Sequence, residues 1–185
     1  MWRSVDMASG AASEDLLRYN SVARAFHAVI AVMVIFNVVS GIGGEAIEDI
    51  WNPFPVHKAT GILILLLSLA RIGWRFTWTT PEWPATMGNL QRLVAKVTHG
   101  ALYVLMLVVP LTGWIMSSAS KWPISMYGLF DWPKFAVVKD SPLAEAAGES
   151  HEVLGFLMAG LVVLHVAAAL HHHFVIKDNI LRRMF

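Results

Sequence analysis

Residues 151–175, HEVLGFLMAGLVVLHVAAALHHHFV, hold one carboxylate, Glu152, and no Lys or Arg. A helix needs about 20 mostly apolar residues to cross ~30 Å of hydrocarbon, so this stretch reads as a membrane span. Ionisable side chains inside a span are costly and point to function by default. This span contains five of the eight histidines, and His151 and His165 stand 14 residues apart. That spacing is ~21 Å of rise and about four turns, which puts both imidazoles on one helix face near opposite sides of a bilayer.

Three further apolar stretches lie upstream, at about 22–40, 56–74 and 95–117. A closed β-barrel would instead show alternating segments of ~10 residues, and none is present. The composition agrees: of 185 residues, 56% are hydrophobic and 15% charged, with a mean hydropathy of +0.57. Soluble domains have about 25% charged residues. The balance excludes a disordered protein, a nucleic-acid-binding arm and an ordinary cytosolic domain, so no nucleic acid is expected as a partner and membrane lipid is. The expected fold class is all-α, an integral membrane four-helix bundle, with residues 1–185 forming a single domain.

Loops and flanks orient the bundle. Arg3, Asp6, Glu14, Asp15 and Arg18 precede the first span without a short apolar core and cleavage site, so that span is expected to remain as an anchor. Arg3, Arg18, Arg24, Arg71, Arg75, Arg92, Lys96, Lys177, Arg182 and Arg183 fall on the side shared by both termini, against Lys58, Lys121, Lys134 and Lys139 on the other. The positive-inside rule then makes both termini cytoplasmic, in a bacterial inner membrane. Pro81 and Pro84 make the 76–94 loop short and extended. The larger 118–150 loop, with Trp122-Pro123 and Trp132-Pro133, suits the outer headgroup zone.

With no cysteine in the chain, iron–sulfur clusters, thiolate zinc sites and covalent c-type haem are excluded. Metal or cofactor chemistry rests on the histidines, all eight of which fall in the spans. Depth sorts four of them into level-matched pairs: His57 with His151 on the outer side, His27 with His165 on the inner. Imidazoles from facing helices can fill both axial positions of a haem, and such a site passes electrons rather than binding oxygen. Zinc would need three or four close ligands, which ~21 Å between His151 and His165 forbids. No facial triad, catalytic set or phosphate loop appears, so no catalytic residue is assigned.

Gly61 and Gly155 each follow a candidate ligand by four residues, leaving space for a macrocycle or only letting helices approach. His99 is the rival axial ligand, able to replace His27 or to meet a haem propionate. His172 continues the seven-residue stripe 151–158–165–172. It can hydrogen-bond a quinone carbonyl and relay its proton, or serve as an interfacial polar cap. His171 and His173 point elsewhere, toward headgroups or water. Arg71 and Arg75 either neutralise propionates or carry only the positive-inside signal. Pro110 and Gly113 mark a kink.

These residues carry a resemblance. HKATG at 57–61, HGALYVLMLVVPLTGW at 99–114, and SHEVLGFLMAGLVVLHVAAALHHHF at 150–174 followed by KDNILRRM resemble the bacterial four-helix cytochrome b561 family. The likeness runs from about Tyr19 to Arg183. It implies two haem b groups, with His27 and His165 as inner ligands and His57 and His151 as outer ligands, and His172 beside ubiquinone. It also implies the activity of a superoxide oxidase: periplasmic superoxide is oxidised to oxygen and ubiquinone is reduced. Lys58, Lys121, Lys134 or Lys139 would steer superoxide, although Asp131, Asp140, Glu145 and Glu149 share that side. Phe174 replaces a Tyr common in related sequences. The alternative is a cytochrome b electron-transfer subunit passing quinol electrons to a partner protein, whether a dehydrogenase, a hydrogenase or a cytochrome c.

Overall fold

The computed structural model describes residues 18–84, 87–178 and 180–184. The flanking charges Arg3, Asp6, Glu14 and Asp15, on which the uncleaved anchor rests, lie outside the described residues. Four helices are long and apolar enough to cross a membrane: α1 (Ser21–Gly43), α2 (Phe54–Arg75), α3 (Asn89–Ser118) and α4 (Pro142–His171). The last runs on through a π-helical turn, His172–Ile176.

Each helix overruns its apolar stretch, and at α1, α3 and α4 polar side chains fix where the helix begins. Asn20 Oδ1 accepts the Ala23 N–H at 2.8 Å and also the Trp74 indole N–H at 3.2 Å, joining the start of α1 to the end of α2. Such a cap satisfies one of the first-turn donors that a helix leaves free. At α3, Gln91 Oε1 reaches back to the Gly88 N–H at 3.0 Å. The fourth helix starts nine residues ahead of His151, whereas the apolar run alone placed its start at that histidine. Ser141 Oγ caps the Ala144 N–H at 3.3 Å, and Pro142 occupies the first turn, where its missing N–H costs nothing.

Helices consecutive in sequence pack along their lengths, and α1 closes the ring against α4 more lightly. Ile30 and Val34 from α1, Ile64 from α2, Leu105 and Met106 from α3, and Met158 from α4 form the central core. Met158 lies midway between His151 and His165, so the core separates the two histidine levels. Most other apolar side chains face outward, and only 6% of the most apolar window of α4 is buried. Lipid tails are as apolar as Leu, so this surface needs no protein cover.

One end of the bundle carries a lobe that the sequence reading treats as plain loop. Strands β1 (Ile124–Ser125) and β2 (Asp131–Trp132) pair antiparallel, Ile124 opposite Trp132. Two-residue strands are too short to show a period-2 pattern. Tyr127 and Gly128, both at positive φ, fall between them. Ile124 and Met126 pack against Ala59 and Ile62 of α2. Tyr127 Oη and Thr60 Oγ1 bond at 2.8 Å, the Trp114 indole donates to the Pro133 carbonyl at 2.8 Å, and the Phe135 N–H donates to Ser118 Oγ at 3.1 Å. At the opposite end the Tyr19 N–H donates to the Arg183 carbonyl at 3.1 Å, and Arg183 Nη1 to the Glu82 carbonyl at 2.6 Å. Both ends of the described chain therefore meet on the side of the α2–α3 connection.

Ile124 is 1% exposed, so Ile124→Ala should cost about 2–5 kcal/mol of lobe stability. The expected outcome is faster proteolysis within 119–141 with helical circular dichroism retained. Val138→Ala, at a 74% exposed position, should stay within about 0.5 kcal/mol of wild type.

Candidate functional site: two levels of paired imidazoles

At the lobe end, His57 near the start of α2 and His151 in α4 bring their rings to a centroid separation of 6.1 Å at 81°. At the termini end, His27 in α1 and His165 in α4 stand 6.3 Å apart at 60°. The structure thus brings together both pairs that helix depth matches. His99, on α3, approaches His165 to 5.2 Å and lies parallel to Trp83 at 6.4 Å.

An imidazole nitrogen binds a first-row metal at about 2.0–2.1 Å, so two rings opposed across one ion have centroids roughly 6.2–6.6 Å apart. The 6.3 Å between His27 and His165 falls within that range, and the 6.1 Å between His57 and His151 lies 0.1 Å below its lower bound. The 5.2 Å between His99 and His165 is about an ångström too short for it. Among the described residues no group of three or more His, Cys, Asp and Glu is arranged to hold a metal ion, so the arrangement on offer is the opposed pair.

Hydrogen bonds fix which ring nitrogen is left free at the lobe end. The Ser40 hydroxyl donates to the Asn37 carbonyl, so its oxygen accepts from His57 Nδ1–H at 3.0 Å. Asn37 Nδ2 also donates to the His57 carbonyl at 3.1 Å. His151 Nδ1–H donates to the Val109 carbonyl at 2.9 Å, which also accepts the Thr112 hydroxyl. With Nδ1 committed as donor on both rings, Nε2 keeps the lone pair a metal needs. This is the outer partner typical of metal-binding histidines.

Glycines of neighbouring helices seat these rings. A Cβ on Gly41 would stand 3.0 Å from His57 Cε1, and one on Gly113 would stand 2.7 Å from His151 Cε1. Sequence spacing singles out Gly61 and Gly155 instead. A Cβ on Gly155 would meet nothing within 4 Å, and one on Gly61 would meet Asn37 Nδ2 at 3.4 Å, so Gly155 borders open space and Gly61 backs the Asn37 side chain. Gly113 was read as part of a kink; it is also the surface on which His151 rests. Ser40, Gly41 and the Val109 carbonyl escape sequence reading because they act from the neighbouring helix. Their one sequence signal is a position at the same depth as His57 or His151.

The charged candidates divide between the ends. Arg71 sits over the Tyr103 ring at 5.5 Å, shares a small pocket with Arg75 and Trp78, and lies within electrostatic reach of His27, His99 and His165. Arg75 is exposed at the last position of α2. At the lobe end Lys58 is half-buried beside His57 and within reach of Lys134. Lys134 donates to the Ser120 carbonyl at 2.6 Å, Lys121 lies over Trp122 at 5.0 Å, and Lys139 pairs with Asp140 at 3.6 Å. His172 does not join either imidazole pair; its Nδ1 meets Asp178 Oδ2 at 2.6 Å. His171 and Phe174 are exposed, and His173 packs against Phe174 at 4.7 Å.

Residues 18–185 match the family model described as prokaryotic cytochrome b561. The chain is 34% identical over 172 residues to cytochrome b561 homolog 2 of Escherichia coli K12, covering 90% of each. It is 30% identical to cytochrome b562 of Cereibacter sphaeroides, over 90% of this chain and 94% of that one. It is also 30% identical to a protein of Yersinia pestis named probable superoxide oxidase CybB, over 70% of this chain and 72% of that one.

Because Gly113 has no room for a Cβ, Gly113→Ala should push the His151 ring off the Val109 carbonyl and cost about 1–3 kcal/mol by overpacking. Haem per chain, measured as the pyridine haemochrome, should fall for Gly113→Ala and hold at the wild-type value for Gly155→Ala.

Proposed function

The chain belongs to the prokaryotic cytochrome b561 family of haem b membrane electron-transfer proteins, and from that premise we propose that it is a two-haem superoxide:ubiquinone oxidoreductase. The observation that carries the reading is the recurrence, at two depths, of an imidazole pair spaced for one iron. His57 and His151 would hold a haem at the lobe end, and His27 and His165 one at the termini end. His99 stands as a neighbour of His165 and not as its axial partner. Bound there, haem b would supply a one-electron redox couple.

The remaining work falls to the chain. The lobe end faces the periplasm and the termini end the cytoplasm, the orientation the basic residues favour. Ser40 and the Val109 carbonyl hold the outer imidazoles in the tautomer that binds metal. Lys58 places a positive charge one residue from His57, where an approaching anion is attracted. Lys121, Lys134 and Lys139 already have partners, which leaves Lys58 as the leading steering residue. Arg71, reaching His27, His99 and His165, offers a cation for propionates at the inner level, with Arg75 further out. The Yersinia relative's name adds support for superoxide as donor. Two superoxide anions lose one electron each and leave as oxygen. Ubiquinone gains two electrons at the cytoplasmic end beside His172 and takes two protons from that side.

Purified alone and exposed to enzymatically generated superoxide, the protein should show the absorption of reduced b haem, and added ubiquinone should reoxidise it. His151→Ala should remove one haem and retain the other, read by haemochrome and by a redox titration that collapses from two components to one. Loss of neither haem would defeat the ligand assignment. A need for a second protein before any haem is reduced would favour the electron-transfer subunit.

A further inference from the structure

Beyond both haem levels, the end of α4 is built around one further histidine. At His172 the helix widens into a π turn, and Lys177, in the left-handed region at φ 57°, turns the chain back. Single π turns of this kind recur at functional sites. The N–H groups of Lys177 and Asp178 both point to the His172 carbonyl. The Asp178 carboxylate is then fully engaged: Oδ2 lies 2.6 Å from His172 Nδ1 and Oδ1 accepts the Ile180 N–H at 3.1 Å. The two side chains are 14% and 8% exposed, so water competes little for this bond.

We propose that Asp178 is a positioning residue that holds His172 Nδ1–H and so leaves His172 Nε2 free to carry a proton to bound quinone. The inference rests on the reading that quinone is reduced beside His172. A carboxylate only accepts hydrogen bonds, so Nδ1 stays protonated whether the ring is neutral or cationic. Nε2 then alternates between N–H donor and lone-pair acceptor. On reduction, each quinone oxygen gains one O–H bond, and the two electrons come from reduced haem. The ring that carries both N–H groups is cationic and its charge rests against the carboxylate; it becomes neutral as the Nε2 proton passes to quinone, and a proton from the cytoplasmic side restores it. This is general acid catalysis by a histidine whose tautomer a second group fixes.

Asp178→Asn tests the idea sharply. The Ile180 N–H claims the amide oxygen, so the amide NH2 faces His172 and Nδ1 must accept. Nε2 then keeps its hydrogen, able to bind quinone but poor at releasing a proton. The assay is stopped-flow reoxidation of the reduced holoprotein by ubiquinone-1. Asp178→Asn should lower the limiting rate roughly tenfold or more, leave half-saturation within about twofold, and leave haem content unchanged; Asp178→Glu should recover most of the rate. A wild-type rate in Asp178→Asn beside a slow His172→Gln would overturn the role of Asp178 and keep the quinone reading. Wild-type rates in both variants would remove the quinone reading as well. Haem loss, or a loss confined to half-saturation, with no recovery by Glu, would make Asp178 purely structural and likewise overturn the proposal.

Discussion

An imidazole inside hydrocarbon has no water to satisfy it, so each ring nitrogen must find a partner within the fold. That constraint organises the lobe end of this protein. His57 belongs to α2, but its Nδ1 is held by Ser40 of α1. His151 belongs to α4, but its Nδ1 is held by the Val109 carbonyl of α3. Since the two rings also face one another, a single layer of side chains links all four helices. The polar groups that would be most costly in a membrane become the cross-ties of the bundle.

The termini end is built from a different set. His27, His99 and His165 come from α1, α3 and α4, and Arg71 reaches them from α2. Here Arg71 adds a fixed positive charge near the rings, where the other level has a carbonyl and a hydroxyl. Between the two lies a plug whose buried residues are Ile, Val, Leu and Met. Two polar layers separated by one apolar layer is an arrangement suited to carrying electrons across a membrane while giving water no continuous path.

Much of this was legible in the sequence because a helix converts residue number into depth. The 14 residues between His151 and His165 fix two levels, and the ends of the other spans then assign His57 and His27 to them. Depth says nothing about lateral packing. That is why the sequence points to Gly61 and Gly155 on the ligands' own helices and not to Gly41 and Gly113, which seat the His57 and His151 rings from across the interface. It is also why His99 could be named as a rival but not ranked until its distance to His165 was known. The start of α4 was missed by nine residues because Ser141 and Pro142 begin the helix in polar sequence, where hydropathy carries no signal. Asp178 was passed over because only a widened final turn brings it back to His172.

Both imidazole levels draw on α4, the last helix in chain order and the most sparsely buried. A nascent chain of three helices therefore offers His57 and His27 with no counterpart from α4. At about 5–20 residues per second of synthesis, the α4 partners follow the end of α3 by a few seconds. The pairing of imidazoles at both levels is thus timed by the arrival of α4, whatever the order in which α1, α2 and α3 come together.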